Sequence, residues 1–176
     1  MGLFRKAKKS RQPSPTSPPV RALNDLLNLI GEWTGEATDW DPDWEQSKRK
    51  PMGVSFELDE DGRHLIIHYW ANHGGPVMRS FDVLGVDPSG EEVLRTHFVG
   101  RNRQTQHFRI LEHRTDGRGR DFSLTLETTA WDEARPCEIR WEFQRRGNAL
   151  EMRTSRCLIG LSDDFVETSV FVLGRL

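Results

Sequence analysis

The feature that most constrains this chain is a run of ten strand-length segments, each bounded by turn residues. They are Glu32–Trp40, Met52–Asp59, Arg63–Ala71, Val77–Asp87, Val93–Val99, Gln104–His113, Asp121–Thr129, Glu138–Arg145, Ala149–Ile159 and Phe165–Leu173. Between them stand Asp61-Gly62, Asp87-Pro88-Ser89-Gly90, Gly100-Arg101-Asn102, Asp116-Gly117-Arg118-Gly119 and Gly147-Asn148. Gly, Asn and Asp tolerate positive φ, so each of these reverses the chain at little cost. Such links leave no room for a crossover helix, so neighbouring strands pair antiparallel.

Alternation supports the strands. Ile139, Trp141 and Phe143 fall on one face and Arg140, Glu142 and Gln144 on the other; Phe122, Leu124 and Leu126 alternate with Ser123, Thr125 and Glu127. Ten antiparallel strands with one apolar face are best satisfied by closing the sheet, which removes its edges. The expected fold is therefore all-β, a ten-stranded antiparallel up-and-down barrel. No fixed repeat argues for a propeller or solenoid.

The barrel has a lid of its own. Leu23, Leu26, Leu27 and Ile30 recur at i, i+3, i+4 and i+7, which predicts a short amphipathic helix over 20–30, too short to stand alone. Upstream, residues 1–19 combine a basic cluster (Arg5, Lys6, Lys8, Lys9, Arg11) with a Pro-rich stretch, the composition of a disordered tail. The expected organisation is a tail of 1–19 and one barrel domain of 20–176.

Composition excludes more than it assigns. The net charge of −2 gives no basic field for specific nucleic-acid binding. No apolar run reaches the roughly 20 residues of a membrane span, and no signal-peptide core follows the N-terminal cations. The Gly147-Asn148 hairpin sets Arg146 opposite Ala149, and hence Cys137 opposite Leu158 and Glu138 opposite Cys157. The two cysteines then lie on opposite faces, which argues against a disulfide and for a cytoplasmic protein.

The same register places Arg156 opposite Ile139 and Thr154 opposite Trp141. Arg156 thus lies on the apolar side, where it needs an interior carboxylate, such as Glu167, or the acid group of a ligand. Of the six histidines, His64 and His68 share a face but stand about 13 Å apart, too far for one metal. His97 and His107 flank the hairpin at Gly100-Arg101-Asn102 and come near each other at the barrel mouth. There is no nucleophile elbow and no phosphate-cradling loop.

Gly31-Glu32-Trp33-Thr34-Gly35 opens the first strand, with Gly62-Arg63-His64-Leu65-Ile66 and Leu84-Gly85-Val86-Asp87-Pro88 around the next long hairpin. On these motifs the chain resembles the calycin-type barrels, in particular a bacterial lipocalin-like family whose members begin with a Gly-x-Trp-x-Gly strand. The resemblance covers roughly residues 26–176 and implies a calycin-like barrel. Nitrobindins, which bind haem through a His on a C-terminal strand, share a similar opening. Residues 165–176 contain no His, so no cofactor is expected and haem binding in that manner is not.

The function expected from the residues is binding of a small hydrophobic or amphipathic ligand, with an acidic group allowed, inside the barrel. The candidate ligand-binding residues are Trp33, His97, His107, Trp141, Phe143, Thr154 and Arg156, with Gly35 giving room. The alternatives are an enzyme using the same cavity, with His97 or His107 as acid/base, and an interaction module with a filled interior. No catalytic or metal-binding set is expected, and a homodimer stays open.

Overall fold

The computed structural model describes residues 17–39, 48–71, 78–132, 135–161 and 163–176. Most of the expected tail, residues 1–16, and His73 lie outside the described residues. Helix α1 (Pro18–Leu26) runs into a 3-10 turn at Leu27–Leu29. Ten strands follow: β1 (Gly31–Asp39), β2 (Lys48–Leu58), β3 (Leu65–Ala71), β4 (Met78–Val86), β5 (Val93–Val99), β6 (Asn102–Thr115), β7 (Asp121–Asp132), β8 (Arg135–Arg146), β9 (Ala149–Leu158) and β10 (Val166–Arg175).

Each strand pairs antiparallel with the next, and β1 pairs with β10 to close the barrel. The expected fold class is what forms. The helix begins at Pro18 rather than at 20, because a proline suits the first helical turn, where the missing N–H has no partner to lose.

Ala22, Leu26 and Leu29 of the helical segment are fully buried and seal one end of the barrel. Three polar links hold them there. Trp33 Nε1 donates to the Leu29 carbonyl (2.7 Å), Arg145 Nη1 donates to the Asn28 carbonyl (2.6 Å), and His113 Nε2 bonds Asp25 (2.7 Å). Gly31, at φ +124°, lets the chain swing from this segment into β1, a conformation that L side chains rarely adopt.

Behind the helix the interior is solid. Trp33, Phe56, Leu65, Leu84, Phe108 and Phe143 are inaccessible or nearly so. The guanidinium groups of Arg145 and Arg175 each lie 5.7 Å from the Trp33 ring. Burial raises the cost of a charge here, and with the nearby Arg175 charge it lowers the Arg145 pKa from its ordinary value.

The β8–β9 register is the one expected: Cys137 faces Leu158, Glu138 faces Cys157, Ile139 faces Arg156 and Trp141 faces Thr154. Two irregularities change the parity elsewhere. The β6–β7 register shifts between Ile110 and Glu112, and the β9–β10 register shifts between Glu167 and Ser169. The second corrects an expectation: Glu167 pairs with Ser155 on the outer face and accepts a bond from Arg153 (3.1 Å), so it is removed from the Arg156 side. Gly35 also serves another purpose than interior room. A Cβ on it would stand 2.0 Å from the Val172 carbonyl oxygen, so its bareness lets β10 come close to β1.

Candidate functional site

Half-way along the barrel the apolar packing gives way to a polar group. Register fixes which side chains enter: Ile67 faces Asp82 across β3–β4, Asp82 faces His97 across β4–β5, and Leu84 faces Arg95. Ile67 belongs to the core, so Asp82, His97 and Arg95 share its inner face. Asp82 is completely buried.

Its carboxylate accepts four hydrogen bonds. Oδ1 takes Arg95 Nε (2.9 Å) and His97 Nδ1 (2.7 Å); Oδ2 takes Arg95 Nη2 (3.0 Å) and the Tyr69 hydroxyl (2.9 Å). That fills the lone-pair capacity of a carboxylate. Burial alone would raise the Asp82 pKa, but the His97 hydrogen bond and the Arg95 charge outweigh it and hold the group below its ordinary value. Burial and then the Asp82 charge push the Tyr69 hydroxyl well up, so Tyr69 remains a donor.

Two arms rooted at Asp82 cross the barrel. Arg95 reaches from β5 to the Trp141 ring on β8, with its guanidinium carbon 4.4 Å from the ring centroid. Tyr69 reaches from β3 toward Phe171 on β10, ring centroids 6.2 Å apart. Met152 lies between these landing points, opposite Phe143 on one side and Phe171 on the other. Trp141 and Phe143 are 4.6 Å apart between centroids, so the Arg95 arm rests on packed rings.

Beyond the crossbar, away from the helix, inward residues are no longer sealed. The His97 side chain is 27% exposed and that of Arg95 is 18% exposed, although both point into a closed ring of strands. Ile139, Thr154, Arg156 and Ser169 on the opposite wall are likewise half-buried. The barrel thus has a packed half and a half that solvent enters, with the Asp82 crossbar as the floor between them.

The expected ligand residues divide along this floor. His97, Thr154 and Arg156 lie on the solvent-entered side, and Trp141 lies in the floor. Trp33 and Phe143 belong to the packed half, where they touch helix and core. His107 is a correction. It pairs with Leu94, on the opposite parity to inward Phe108, and its half-exposed ring bonds Glu92 (3.1 Å) on the outer face. His97 and His107 therefore stand on opposite sides of the wall. Among the described residues no three His, Cys, Asp or Glu side chains converge as a metal site.

Asp82, Arg95 and Tyr69 carry the site and escaped the sequence reading. Their strand neighbours Phe81, Val83 and Phe98 are apolar yet face outward, so alternation around Asp82 and His97 points β4 and β5 the wrong way round, while Leu65 and Ile67 of β3 face the core as alternation has it. A usable signal was the short turn at Gly100-Arg101, which pairs Val99 with Asn102 and carries the parity from β6 into β5.

The outward set forms a second concavity. Arg103, Phe98, Phe81, His68 and Ser55 occupy one cross-strand row from β6 to β2. The Phe81 and Phe98 rings are stacked at 4.4 Å, and Trp70 lies against bare Gly53. These rings, with Glu57 and His68, bound a groove of about 810 Å³ on the outer wall.

No family model matches the chain, and no curated protein does. Among solved structures it is similar to Rv2717c from M. tuberculosis, at a TM-score of 0.59 and 15% identity, over 90% of this chain and 98% of that one. At this identity the likeness bears on fold alone: the chain is a closed ten-stranded antiparallel barrel, consistent with the calycin type.

Proposed function

We propose that this protein is a small-molecule-binding barrel whose solvent-entered half takes a partly apolar ligand with an acidic head group. The observation that carries the reading is the accessibility of inward side chains, above all His97 at 27%. In a barrel filled throughout, as a mere interaction module would be, such a side chain is sealed. Ten strands enclose a wider bore than the roughly eight that side chains just fill.

In this reading Ile139 supplies apolar wall, and Arg156 and Thr154 on β9 receive the acid. A few polar groups set in apolar walls are the usual composition of such sites, and Arg offers a carboxylate a planar fork. The lipocalin-like resemblance through Gly31–Gly35 fits the same reading, with a cytoplasmic setting and no cofactor.

The test is a thermal-unfolding series of the full chain with saturated fatty acids and their alcohols. A ligand that binds the folded state raises Tm by mass action. The acids should raise it, and Arg156→Ala should remove most of the gain while keeping a weaker apolar contribution. A set of acids that leaves Tm unmoved, or an Arg156→Ala chain that keeps the full gain, overturns the reading.

A second reading has one observation in its favour. His97 Nδ1 is fixed by a buried carboxylate at 2.7 Å, the arrangement that orients a general base. An enzyme using the same chamber would work through His97, with His107 excluded by its place on the outer wall. Turnover of a bound acid, lost in His97→Gln with binding retained, would select it.

A further inference from the structure

The polar groups of the chamber are not equivalent in what they leave for a ligand. Asp82 already accepts four bonds and has no capacity left. Tyr69 spends its proton on Asp82. Arg95 places Nε and Nη2 on Asp82 and directs Nη1 toward Gln106 (3.4 Å), with its face on Trp141. His97 differs. Because an ionised carboxylate only accepts, the proton in the His97–Asp82 bond sits on Nδ1. In this tautomer Nε2 is the acceptor whenever the ring is neutral, and Nε2 makes no hydrogen bond among the described residues.

The tautomer is held by a carboxylate that is itself held by Arg95 and Tyr69, so the lone pair on Nε2 is preorganised. Elsewhere on the solvent-entered inner wall, Thr154 and Arg156 supply a hydroxyl and a cation that suit an anion. The two walls therefore ask for different chemistry: an acceptor on β5, donors and positive charge on β9.

We propose that the chamber recognises a hydroxy acid, whose carboxylate lies toward Arg156 and Thr154 and whose hydroxyl donates to His97 Nε2. This rests on the ligand-binding reading and narrows its ligand class. A ligand with an ether oxygen in place of the hydroxyl brings one acceptor against another and leaves Nε2 dry and unpaired, which costs binding. A phenolic or aliphatic hydroxyl serves equally, since the requirement is a donor.

The experiment is calorimetric titration of the full chain with 4-hydroxycinnamate, 4-methoxycinnamate and cinnamate, and with 12-hydroxydodecanoate beside dodecanoate. At least one hydroxyl-bearing acid should bind roughly tenfold more tightly than its hydroxyl-free partner, the size of one well-made hydrogen bond. His97→Phe should erase that ratio while the hydroxyl-free acids keep their affinity. Because His97→Phe also removes a bond to Asp82, the second measurement uses the unaltered chain: the ¹⁵N resonance of His97 Nε2 should move on binding the hydroxy acid and stay with its partner. If hydroxyl-bearing and hydroxyl-free acids bind alike and the Nε2 resonance moves with neither, the hydroxy-acid inference is wrong and the ligand chamber stands. If no acid of the panel binds, the chamber reading itself goes, and this inference with it.

Discussion

Arg95 rests on the face of Trp141 from a strand three places away around the barrel, with 4.4 Å between guanidinium carbon and ring centroid. An arginine extended across an interior has to be held at its root, and Asp82 does this through two bonds to the same guanidinium. The crossbar is therefore as strong as that carboxylate.

Asp82→Asn tests it. The amide keeps the shape but leaves the guanidinium without a counter-charge and sets an NH2 against donors. Breaking a buried ion pair from one side costs about 3–5 kcal/mol; about 3 is expected here, because Arg95 keeps some contact with solvent. For a chain of this size that is a fall in Tm of about 6–12 °C. Calorimetric unfolding checks it, and a fall of only a degree or two would mean the arms stand without Asp82.

Acid should unfold the protein in a window set by the carboxyl groups that the fold holds below their ordinary values, Asp59, Asp82, Asp87, Asp116 and Glu127. Asp87 lies at about 2: burial raises it, but the Ser89 hydroxyl and the amides of Glu92, Ser89 and Glu91 lower it further. Asp59 is also at about 2, chiefly through its bond with His64, and Asp82 is lowered too. Each folded value lies below the unfolded one, so unfolding takes up protons. The stabilisation is complete above about pH 5 and is lost as the pH falls through the unfolded value near 3.8 toward 2. Urea midpoints should drop steeply between pH 4 and about pH 2.5, and Asp87→Asn should flatten the slope. A midpoint level across that range would contradict the assignment.

Two glycines should respond unequally to the same methyl group. In Gly35→Ala the new carbon meets the Val172 carbonyl oxygen at 2.0 Å and backbone atoms at 3.0 Å, so the β1–β10 seam has to open. In Gly53→Ala the obstacle is the Trp70 ring at 2.0 Å, a side chain on the outer wall that can turn aside. Overpacking costs about 1–3 kcal/mol; Gly35→Ala belongs at the top of that range and Gly53→Ala at the bottom. The Trp70 indole signal in NMR should shift only in Gly53→Ala. Equal losses would show that the outer ring is held as firmly as the seam.

The helical lid depends on His113, which lies opposite Leu124 just past the β6 irregularity and bonds Asp25 at 2.7 Å. His113→Ala removes one interaction worth about 1 kcal/mol and should speed amide exchange over residues 20–29 about fivefold. Exchange in β7–β9 should stay as it was. Uniform acceleration through the barrel would mean that lid and barrel open together.

The strands could be read because their turns could. Gly147-Asn148 alone fixed the β8–β9 rows, including Arg156 with Ile139 and Thr154 with Trp141. The site resisted because β4 and β5 invert the usual rule toward the open end: they send Asp82, Arg95 and His97 inward and Phe81 and Phe98 outward, although Leu84 and Val93 nearer the helix follow it. A lone Asp between Phe81 and Val83 gives no sign that four donors converge on it. Glu167 and His107 went astray through parity, the first by the β10 irregularity and the second by the odd offset across the Gly100-Arg101 turn. The β10 irregularity flips every later side chain and composition does not reveal it, whereas the turn's parity was legible in its length.

The crossbar also sets a length. A chain entering the solvent-filled half meets ionic, saturated side chains at its far end, with packed rings behind them. Each added methylene should strengthen binding by about 0.8 kcal/mol while it still finds apolar wall, and the gain should stop where the tip reaches Arg95 and Tyr69. The barrel would then act as a gauge, sorting homologous acids by reach, and shortening Tyr69 would move its stop.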